Sequence, residues 1–153
     1  MDDKKTFIML KPDAVRRGLV YKALSYFLNN GFSIQAMDIL TAQEEIVKQH
    51  YAEVIEKFGP DFEAKMLRYV AGNQVVPMVL YREQGEAVAC ARRILGATDP
   101  SKAEKGTVRG DLGIDSYEKC NAENRSCENL VHASDSWENV KREIALWLPD
   151  YQF

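Results

Sequence analysis

The chain has 153 residues, of which 46% are hydrophobic and 28% charged, and its formal net charge is −3. These values are ordinary for a globular protein, so they exclude a disordered or fibrous chain and predict one domain over residues 1–153. The slightly acidic balance gives no electrostatic case for a nucleic-acid partner.

The apolar segments and the cysteines bear on the compartment. No stretch reaches the roughly 18–20 apolar residues that span a bilayer, and the apolar run near the N-terminus is too short for a signal peptide. Cys90, Cys120 and Cys127 form an odd set without the density of a disulfide scaffold. We therefore expect a cytoplasmic protein with no membrane partner.

The first third of the chain predicts a strand, a helix and a second strand. An apolar run at residues 6–10 is typical of a short buried strand. From Val20 the apolar positions recur at intervals of three and four, which predicts an amphipathic helix that ends at Gly31. Residues 32–40 then alternate loosely, as a strand does.

The middle of the chain predicts further helices and a third strand. Thr41 and Glu44 have the spacing of a capping box, so we expect a helix over residues 42–58. A short helix at 62–70 leads to a strand-like run at 75–81. This run contains Pro77, which we expect at a sheet edge or a bulge because proline cannot donate to a ladder.

The last third predicts a helix over 85–95 that Gly96 closes, followed by a long, turn-rich segment to residue 129. A short strand at 130–131 and a final amphipathic helix complete the order. Ser134 and Asp135 are the expected N-cap residues of that helix, with Asp135 and Glu138 in the pattern of a capping box. Strands alternating with helices in this order predict an α+β sandwich with a small sheet.

His132 lies where the last predicted strand gives way to the last helix. One interpretation is a packed histidine that fills space beside the helix N-terminus. The other is a group held out for chemistry, since an imidazole titrates near neutral pH. The small residues Ala133 and Ser134 favour chemistry because they leave one face of the ring open to a ligand.

Candidate anion-binding residues occur in two other places. Lys11 follows the first predicted strand directly, and Arg92, Thr98 and Arg109 fall within one glycine-containing segment. Arginine forks and a hydroxyl suit a polyphosphate, which needs several donors around its oxygens. The patterns GxxxxGK[ST] and GxGxxG are absent, so a P-loop and a dinucleotide fold are not indicated.

A metal site formed by Cys120, Cys127 and His132 is the alternative for the same region. The spacing C-x6-C-x4-H lacks the pairs, two to four residues apart, that structural zinc sites use. We therefore disfavour zinc.

Several motifs together resemble the nucleoside diphosphate kinase family. They are TFIMLKPDAVRRG, the pair His50-Tyr51, ARRILGATDP, GTVRGD and NLVHASDS, whose order and approximate spacing match over nearly the whole chain. The last matches the pattern N-x-x-H-[GA]-S-D, which is highly specific in this company.

The resemblance implies a ping-pong transfer of the γ-phosphate from ATP or another nucleoside triphosphate to a nucleoside diphosphate. His132 would be the nucleophile and become a phosphohistidine. The other catalytic residues that the resemblance implies are Lys11, Tyr51, Ser134 and Glu143. The nucleotide-binding residues that it implies are Lys11, Phe62, Arg92, Thr98, Arg109 and Asn129.

The resemblance also implies the fold, the cofactor and the assembly. The fold would be a ferredoxin-like βαββαβ sandwich, with a four-stranded antiparallel sheet and additional helices. Mg²⁺ would be the cofactor, held mainly through the phosphates of the nucleotide with no direct protein ligand. The chain would form a homo-oligomer, with a hexamer favoured and a tetramer as the alternative.

The sequence departs from the family pattern at the cleft. Extra residues between Tyr51 and Tyr69 make either Phe58 or Phe62 the base-stacking residue, and we prefer Phe62. An insertion from Ser116 to Glu128 lies beside the expected nucleotide site. The alternative function is a non-catalytic nucleotide-binding module of the same fold.

Overall fold

An antiparallel sheet forms the centre of the computed structural model, which describes residues 2–153. The strands are β1 (Lys5–Leu10), β2 (Phe32–Met37), β3 (Leu40–Thr41), β4 (Gln74–Arg82) and β5 (Val131–Ala133). The main order is β2-β4-β1-β5, and the short β3 pairs with β4 beyond the end of β2. This order, with helices in the connections, confirms the predicted α+β, ferredoxin-like class.

Nine helices accompany the sheet within residues 2–153. They are α1 (Pro12–Arg16), α2 (Val20–Leu28), α3 (Glu44–His50), α4 (Ala52–Phe58), α5 (Pro60–Val70), α6 (Ala87–Leu95), α7 (Val108–Leu112), α8 (Tyr117–Ala122) and α9 (Trp137–Trp147), and a 3-10 turn spans Pro100–Lys102. None of these helices has both the length and the apolarity needed to cross a bilayer.

The core consists of two apolar layers, one on each face of the sheet. Successive side chains of a strand point to opposite faces. Ile8 and Leu10 therefore pack in the layer that includes α2 and α6, whereas Phe7 and Met9 pack in the layer that includes α3, α5 and α9. Helices on both faces explain why β1 is apolar along most of its length.

Of the two positions predicted for Pro77, a sheet edge or a bulge, the edge is wrong, because β4 is an inner strand between β1 and β2. Pro77 faces the gap between β2 and β3, which splits the strand predicted at 32–40. Its carbonyl accepts the N–H of Asp38 at 3.2 Å. The N–H and C=O of one residue point to the same side of an antiparallel strand. The missing proline N–H therefore faces this gap rather than a regular ladder.

Both predicted capping boxes are wrong. Thr41 pairs with Gln74 in β3, and α3 begins at Glu44 without a side-chain cap. At α9 the cap is Ser136, whose hydroxyl accepts the N–H of Asn139 at 3.2 Å. Ser134 instead donates its N–H to the carbonyl of Phe7. Thr41 and Ser134 are thus held by the sheet, whereas Asp135 accepts a hydrogen bond from the side-chain amide of Asn139 at 2.7 Å.

The remaining boundaries differ in three places. The helix predicted at 42–58 is divided at Tyr51 into α3 and α4, and the segment 96–129 contains α7, α8 and the 3-10 turn. The helix α1 was not predicted. The stops at Gly31 and Gly96 are confirmed, since both have positive φ angles that glycine adopts without strain.

Candidate active site

One cleft of about 730 Å³ brings together most of the predicted site residues, which lie on different helices, strands and loops of the fold. Its lining includes Lys11, Tyr51, Phe58, Phe62, Arg92, Thr98, Arg109, Asn129, His132 and Glu143. Ser134 lies just outside this lining and is fully buried. Residues up to 132 positions apart in sequence therefore meet at one place.

His132 occupies the middle of β5, paired with Met9, and is half-buried. Its Nε2 hydrogen-bonds to Oε2 of Glu143 on α9. With Glu143 ionised, Nε2 is the donor, so Nδ1 keeps its lone pair. Burial and the cations Lys11, Arg109 and Arg92 lower the pKa of His132 well below its usual value, which favours the neutral ring.

Glu143 is a buried carboxylate placed between two histidines. Burial raises its pKa to about 7, although His50, Arg142 and the hydroxyl of Ser134 act in the opposite direction. Its Oε2 also lies 3.8 Å from Nδ1 of His50. The pKa of Glu143 therefore lies close to neutral pH.

His50 and Trp147 form a layer behind the His132–Glu143 pair. The rings of His50 and His132 meet edge to face with centroids 4.5 Å apart, and the indole Nε1 of Trp147 donates to Nδ1 of His50 at 3.0 Å. Burial and the proximity of His132 lower the pKa of His50 well below its usual value. We did not predict a site role for either residue. The motif pair His50-Tyr51 was the signal available for His50, and nothing in the sequence pointed to Trp147.

The histidines and Glu143 are also the one cluster of metal-ligand side chains found in residues 2–153. Nε2 of His132 and Nδ1 of His50 are already hydrogen-bonded within this cluster or to Trp147. Cys120 and Cys127 do not form such a cluster with His132 in this part of the chain. The arrangement thus gives no support to the disfavoured zinc site.

Lys11 and Asn129 form a hydrogen-bonded chain across the floor of the cleft. Nζ of Lys11 donates to Oδ1 of Asn129 at 2.8 Å, and Nδ2 of Asn129 donates to the carbonyl of Thr98 at 3.1 Å. Burial and the charge of Arg109 lower the pKa of Lys11 to about 8. A buried ammonium next to another cation is well suited to meet an anion.

The two arginines are fixed by backbone carbonyls. Arg109 donates to Asn129 at 3.0 Å, to Val131 at 2.6 Å and to Gly96 at 3.3 Å. Burial and the charge of Arg92 lower the pKa of Arg109 to about 10. Arg92 is more exposed, and its Nη1 donates to the carbonyl of Ala133 at 3.1 Å. Both guanidinium groups are therefore positioned beside β5.

A strained turn sets the approach to His132. Leu130 has φ +72°, and the N–H of Val131 reaches back to the carbonyl of Asn129 at 2.8 Å, which closes a three-residue turn of the rarer hand. A bulky residue at positive φ is unfavourable unless its surroundings hold it. Lys11 does so by donating its backbone N–H to the carbonyl of Leu130 at 2.8 Å.

The hydroxyls of Tyr51 and Ser134 are buried beside the histidines. Neither oxygen has a hydrogen-bond partner of ordinary geometry within residues 2–153. Burial and the charge of Glu143 raise the pKa of Tyr51, so its phenol remains protonated at neutral pH. A donor of this kind, aimed into a cleft, is available for a ligand oxygen.

Two phenylalanines line the outer part of the cleft. The rings of Phe58 on α4 and Phe62 on α5 lie 5.7 Å apart, with Phe58 60% exposed and Phe62 half-buried. The better-packed ring is the more rigid surface for stacking. This favours Phe62 as the base-stacking residue and leaves that choice a prediction.

The insertion forms a second wall of the cleft, to which Tyr117, Asn121 and Arg125 contribute. The carboxylate of Asp115 accepts two hydrogen bonds from Arg125, at 2.6 and 2.9 Å. The same carboxylate accepts the backbone N–H of Glu128 at 2.8 Å. The buried carboxylate of Asp115, which immediately precedes the insertion, thus connects its start to its end.

Comparison with known sequences agrees with these features. Residues 4–153 match the family model described as nucleoside diphosphate kinase. The chain is 41% identical to a nucleoside diphosphate kinase of Rhodococcus jostii (strain RHA1) over 147 residues, which covers 95% of each chain. It is 39% identical to nucleoside diphosphate kinase B of Flaveria bidentis, with 95% of this chain and 88% of the relative covered.

Solved structures show the same likeness. A transition-state mimic of nucleoside-diphosphate kinase from Borrelia burgdorferi, with bound vanadate and ADP, superposes with a TM-score of 0.88 at 30% identity, covering 94% of this chain and 86% of that one. An NDP kinase from Pyrobaculum aerophilum gives a TM-score of 0.83 at 33% identity, covering 94% of both chains. Sequence, fold and motifs agree over nearly the whole length, and the chain therefore belongs to the nucleoside diphosphate kinase family.

Proposed function

We propose that this chain transfers the γ-phosphate of a nucleoside triphosphate such as ATP to a nucleoside diphosphate, with Nδ1 of His132 as the nucleophile. The observation that carries this proposal is the hydrogen bond from His132 Nε2 to Glu143. Because Nε2 donates its proton in this bond, Nδ1 keeps an unshared lone pair. The buried cations Lys11 and Arg109 lie close enough to lower the pKa of the same ring.

The proposed reaction has two steps, in which the phosphoryl group moves first to His132 and then to the acceptor. The Nδ1 lone pair attacks the γ-phosphorus, the bond to the β–γ bridging oxygen breaks, and the nucleoside diphosphate leaves with the bonding electrons. The ring then bears phosphorus on Nδ1 and a proton on Nε2, and its positive charge is stabilised by Glu143. A second nucleoside diphosphate attacks the phosphohistidine through its terminal oxygen and restores neutral His132.

The surrounding donors supply positioning and charge neutralisation, which phosphoryl transfer needs most. We assign the phosphate oxygens and the ribose to Lys11, Arg92, Thr98, Arg109 and Asn129. The phenol of Tyr51 would donate to the transferring group, and the hydroxyl of Ser134 would support Glu143. Phe62 would stack on the base.

We propose Mg²⁺ as the cofactor, held mainly through the nucleotide's phosphates. The donor set fits this mode, since the phosphate end of the cleft presents nitrogen donors and the other lining carboxylates, Glu53, Asp61 and Asp135, lie on separate elements. Mg²⁺ usually keeps several waters and binds through phosphates rather than in an all-protein cage. When bound, the ion would neutralise phosphate charge as it develops.

We also propose a single domain over residues 1–153, a cytoplasmic location and a homo-oligomer, with a hexamer favoured over a tetramer. Both apolar layers share one sheet, which supports the single domain. The three cysteines are free, which fits a reducing compartment. The edge strand β2 and the loop after it expose Ile34, Met37 and Ile39, an apolar strip that a second copy could cover. Light scattering on the purified protein tests the assembly.

The phosphoenzyme tests the central proposal. The protein mixed with [γ-³²P]ATP and Mg²⁺ should yield a protein-bound label that is acid-labile and alkali-stable, and the label should move to added GDP. His132→Ala should remove the label while circular dichroism and thermal unfolding remain those of a folded protein. A label that persists in His132→Ala contradicts the assignment of the nucleophile. If the protein binds ADP but does not transfer phosphate from ATP to GDP or CDP, the non-catalytic module is the better assignment.

A further inference from the structure

We propose that Trp147 is a positioning residue for the transfer, because its indole N–H holds His50 in the tautomer without a proton on Nδ1 and thereby reserves Glu143 for His132. This inference rests on the proposed function of His132. It assigns a role to a residue that lies 15 positions beyond the nucleophile and outside the cleft lining.

The tautomer follows from the donor. An indole nitrogen can only donate a hydrogen bond, so Nδ1 of His50, 3.0 Å from it, must be the acceptor. A neutral His50 therefore carries its proton on Nε2. The interaction is shielded from water, since Trp147 is 3%, His50 5% and Glu143 2% exposed.

The tautomer matters because Nδ1 of His50 is only 3.8 Å from Oε2 of Glu143, the atom that His132 uses. A proton on this nitrogen would give Glu143 a second donor and weaken its bond to the nucleophile. The indole N–H occupies the acceptor lone pair and excludes that proton. His132 then remains the histidine that donates to Glu143.

The charges around His50 come from three parts of the fold. Glu143 on α9 favours a protonated His50, whereas His132 on β5, Lys11 after β1 and Arg142 on α9 disfavour it. Tyr51 follows His50 directly, and its ring packs edge to face at 4.5 Å. Burial and these cations keep His50 neutral despite Glu143, and the indole N–H then decides which nitrogen of the neutral ring carries the proton.

The experiment compares Trp147→Phe with Trp137→Phe, a matched control on the same helix whose ring packs on Phe153 away from the histidines. At pH 7 we expect Trp147→Phe to lower kcat about tenfold, because it weakens the hydrogen bond from His132 to the charged Glu143 and a bond of that kind is worth about one factor of ten. KM should change less than about twofold. The acid limb of its kcat profile should move to higher pH, because His50 gains a proton more readily. Trp137→Phe should leave both unchanged.

A double-mutant cycle separates this role from packing. His50→Asn keeps an acceptor for the indole but cannot become a cation, so adding Trp147→Phe to it should lower kcat by less than about twofold. An equal loss in both backgrounds means that Trp147 acts by volume alone, which overturns the inference. An acid limb that does not move overturns it as well.

A readout independent of turnover keeps this test apart from that of the proposed function. Two-bond ¹H–¹⁵N correlation spectra of the wild-type protein should show His50 with its proton on Nε2 and an unprotonated Nδ1. A proton on Nδ1 in the wild-type protein overturns the inference even if transfer proceeds through His132. Failure to form phosphohistidine overturns the proposed function, and the spectrum then still reports the tautomer.

Discussion

The carboxylate of Asp13 accepts the backbone N–H of Leu130 at 3.1 Å, across 117 positions of sequence. Its other oxygen accepts the phenol of Tyr69 at 2.7 Å, and the residue is 1% exposed. One carboxylate therefore joins the loop that carries Lys11 to the strained turn that precedes β5. Asp13 therefore helps to fix the turn that leads into the strand of His132.

Removing that carboxylate should destabilise the protein. We expect Asp13→Ala to lower the free energy of unfolding by about 3 kcal/mol, because it leaves a buried N–H and a buried phenol without acceptors. Urea denaturation measures the effect. Asp111→Ala is the matched control, since Asp111 also accepts a tyrosine hydroxyl and a backbone N–H but is exposed. A loss as large in the control would show that burial is not the cause.

Glu143→Gln should slow transfer while leaving nucleotide binding intact. The amide still accepts from Nε2, but it cannot neutralise the positive ring formed on phosphorylation, so we expect kcat to fall about 100-fold. Steady-state kinetics with ATP and GDP should show KM nearly unchanged. A large rise in KM with normal kcat would contradict this role.

The same substitution should alter the pH dependence of stability. The folded-state pKa of Glu143, about 7, is above its ordinary value of 4.5. Its contribution is therefore fully present below pH 4.5 and is lost as the pH rises through 7. Glu143→Gln should be more stable relative to the wild type at pH 8 than at pH 5. Thermal unfolding at the two pH values measures the difference, and an unchanged difference would contradict it.

Nucleotide affinity should weaken above pH 8. Burial and Arg109 lower the pKa of Lys11 to about 8, and a bound polyphosphate favours the charged form and raises this value again. Binding of ADP should therefore take up a proton between pH 8 and 9. Calorimetry in buffers of different ionisation enthalpy detects this uptake. Lys11→Arg should abolish it, because an arginine does not titrate in this range.

Asp115 should hold the insertion together. Hydrogen bonds from Arg125, Glu128 and Ser116 lower its pKa to about 2 in spite of burial, so its contribution is present above its ordinary value near 4 and lost as the pH falls towards 2. We expect Asp115→Asn to increase amide hydrogen exchange across residues 113–128. Glu123→Gln is the control, since it removes the more exposed partner of Arg125. Equal exchange in the two variants would contradict the assignment.

The sequence was sufficient for the features set by local pattern. The apolar run of β1, the helical spacing from Val20 and the stops at Gly31 and Gly96 depend on neighbouring residues, and they are confirmed. The motifs likewise identified the residues that meet in the cleft. Their roles remain predictions.

Features decided by distant partners were not predictable. Thr41 and Ser134 have the chemistry of helix caps, but ladder hydrogen bonds from β4 and β1 hold them in the sheet. Pro77 is accommodated in an inner strand because the opposite ladder is interrupted there. The pairing of Trp147 with His50 joins residues 97 positions apart, and no local pattern encodes it.

The buried cations of the cleft connect catalysis to folding. Arg109 lowers the pKa of Lys11, Arg92 lowers the pKa of Arg109, and neither Lys11 nor Arg109 forms an ion pair with a carboxylate within residues 2–153. A polyphosphate bound between them acts as their counter-ion and so completes the electrostatics of the fold. Substrates should consequently behave as folding ligands, stabilising the native chain in proportion to the logarithm of their concentration.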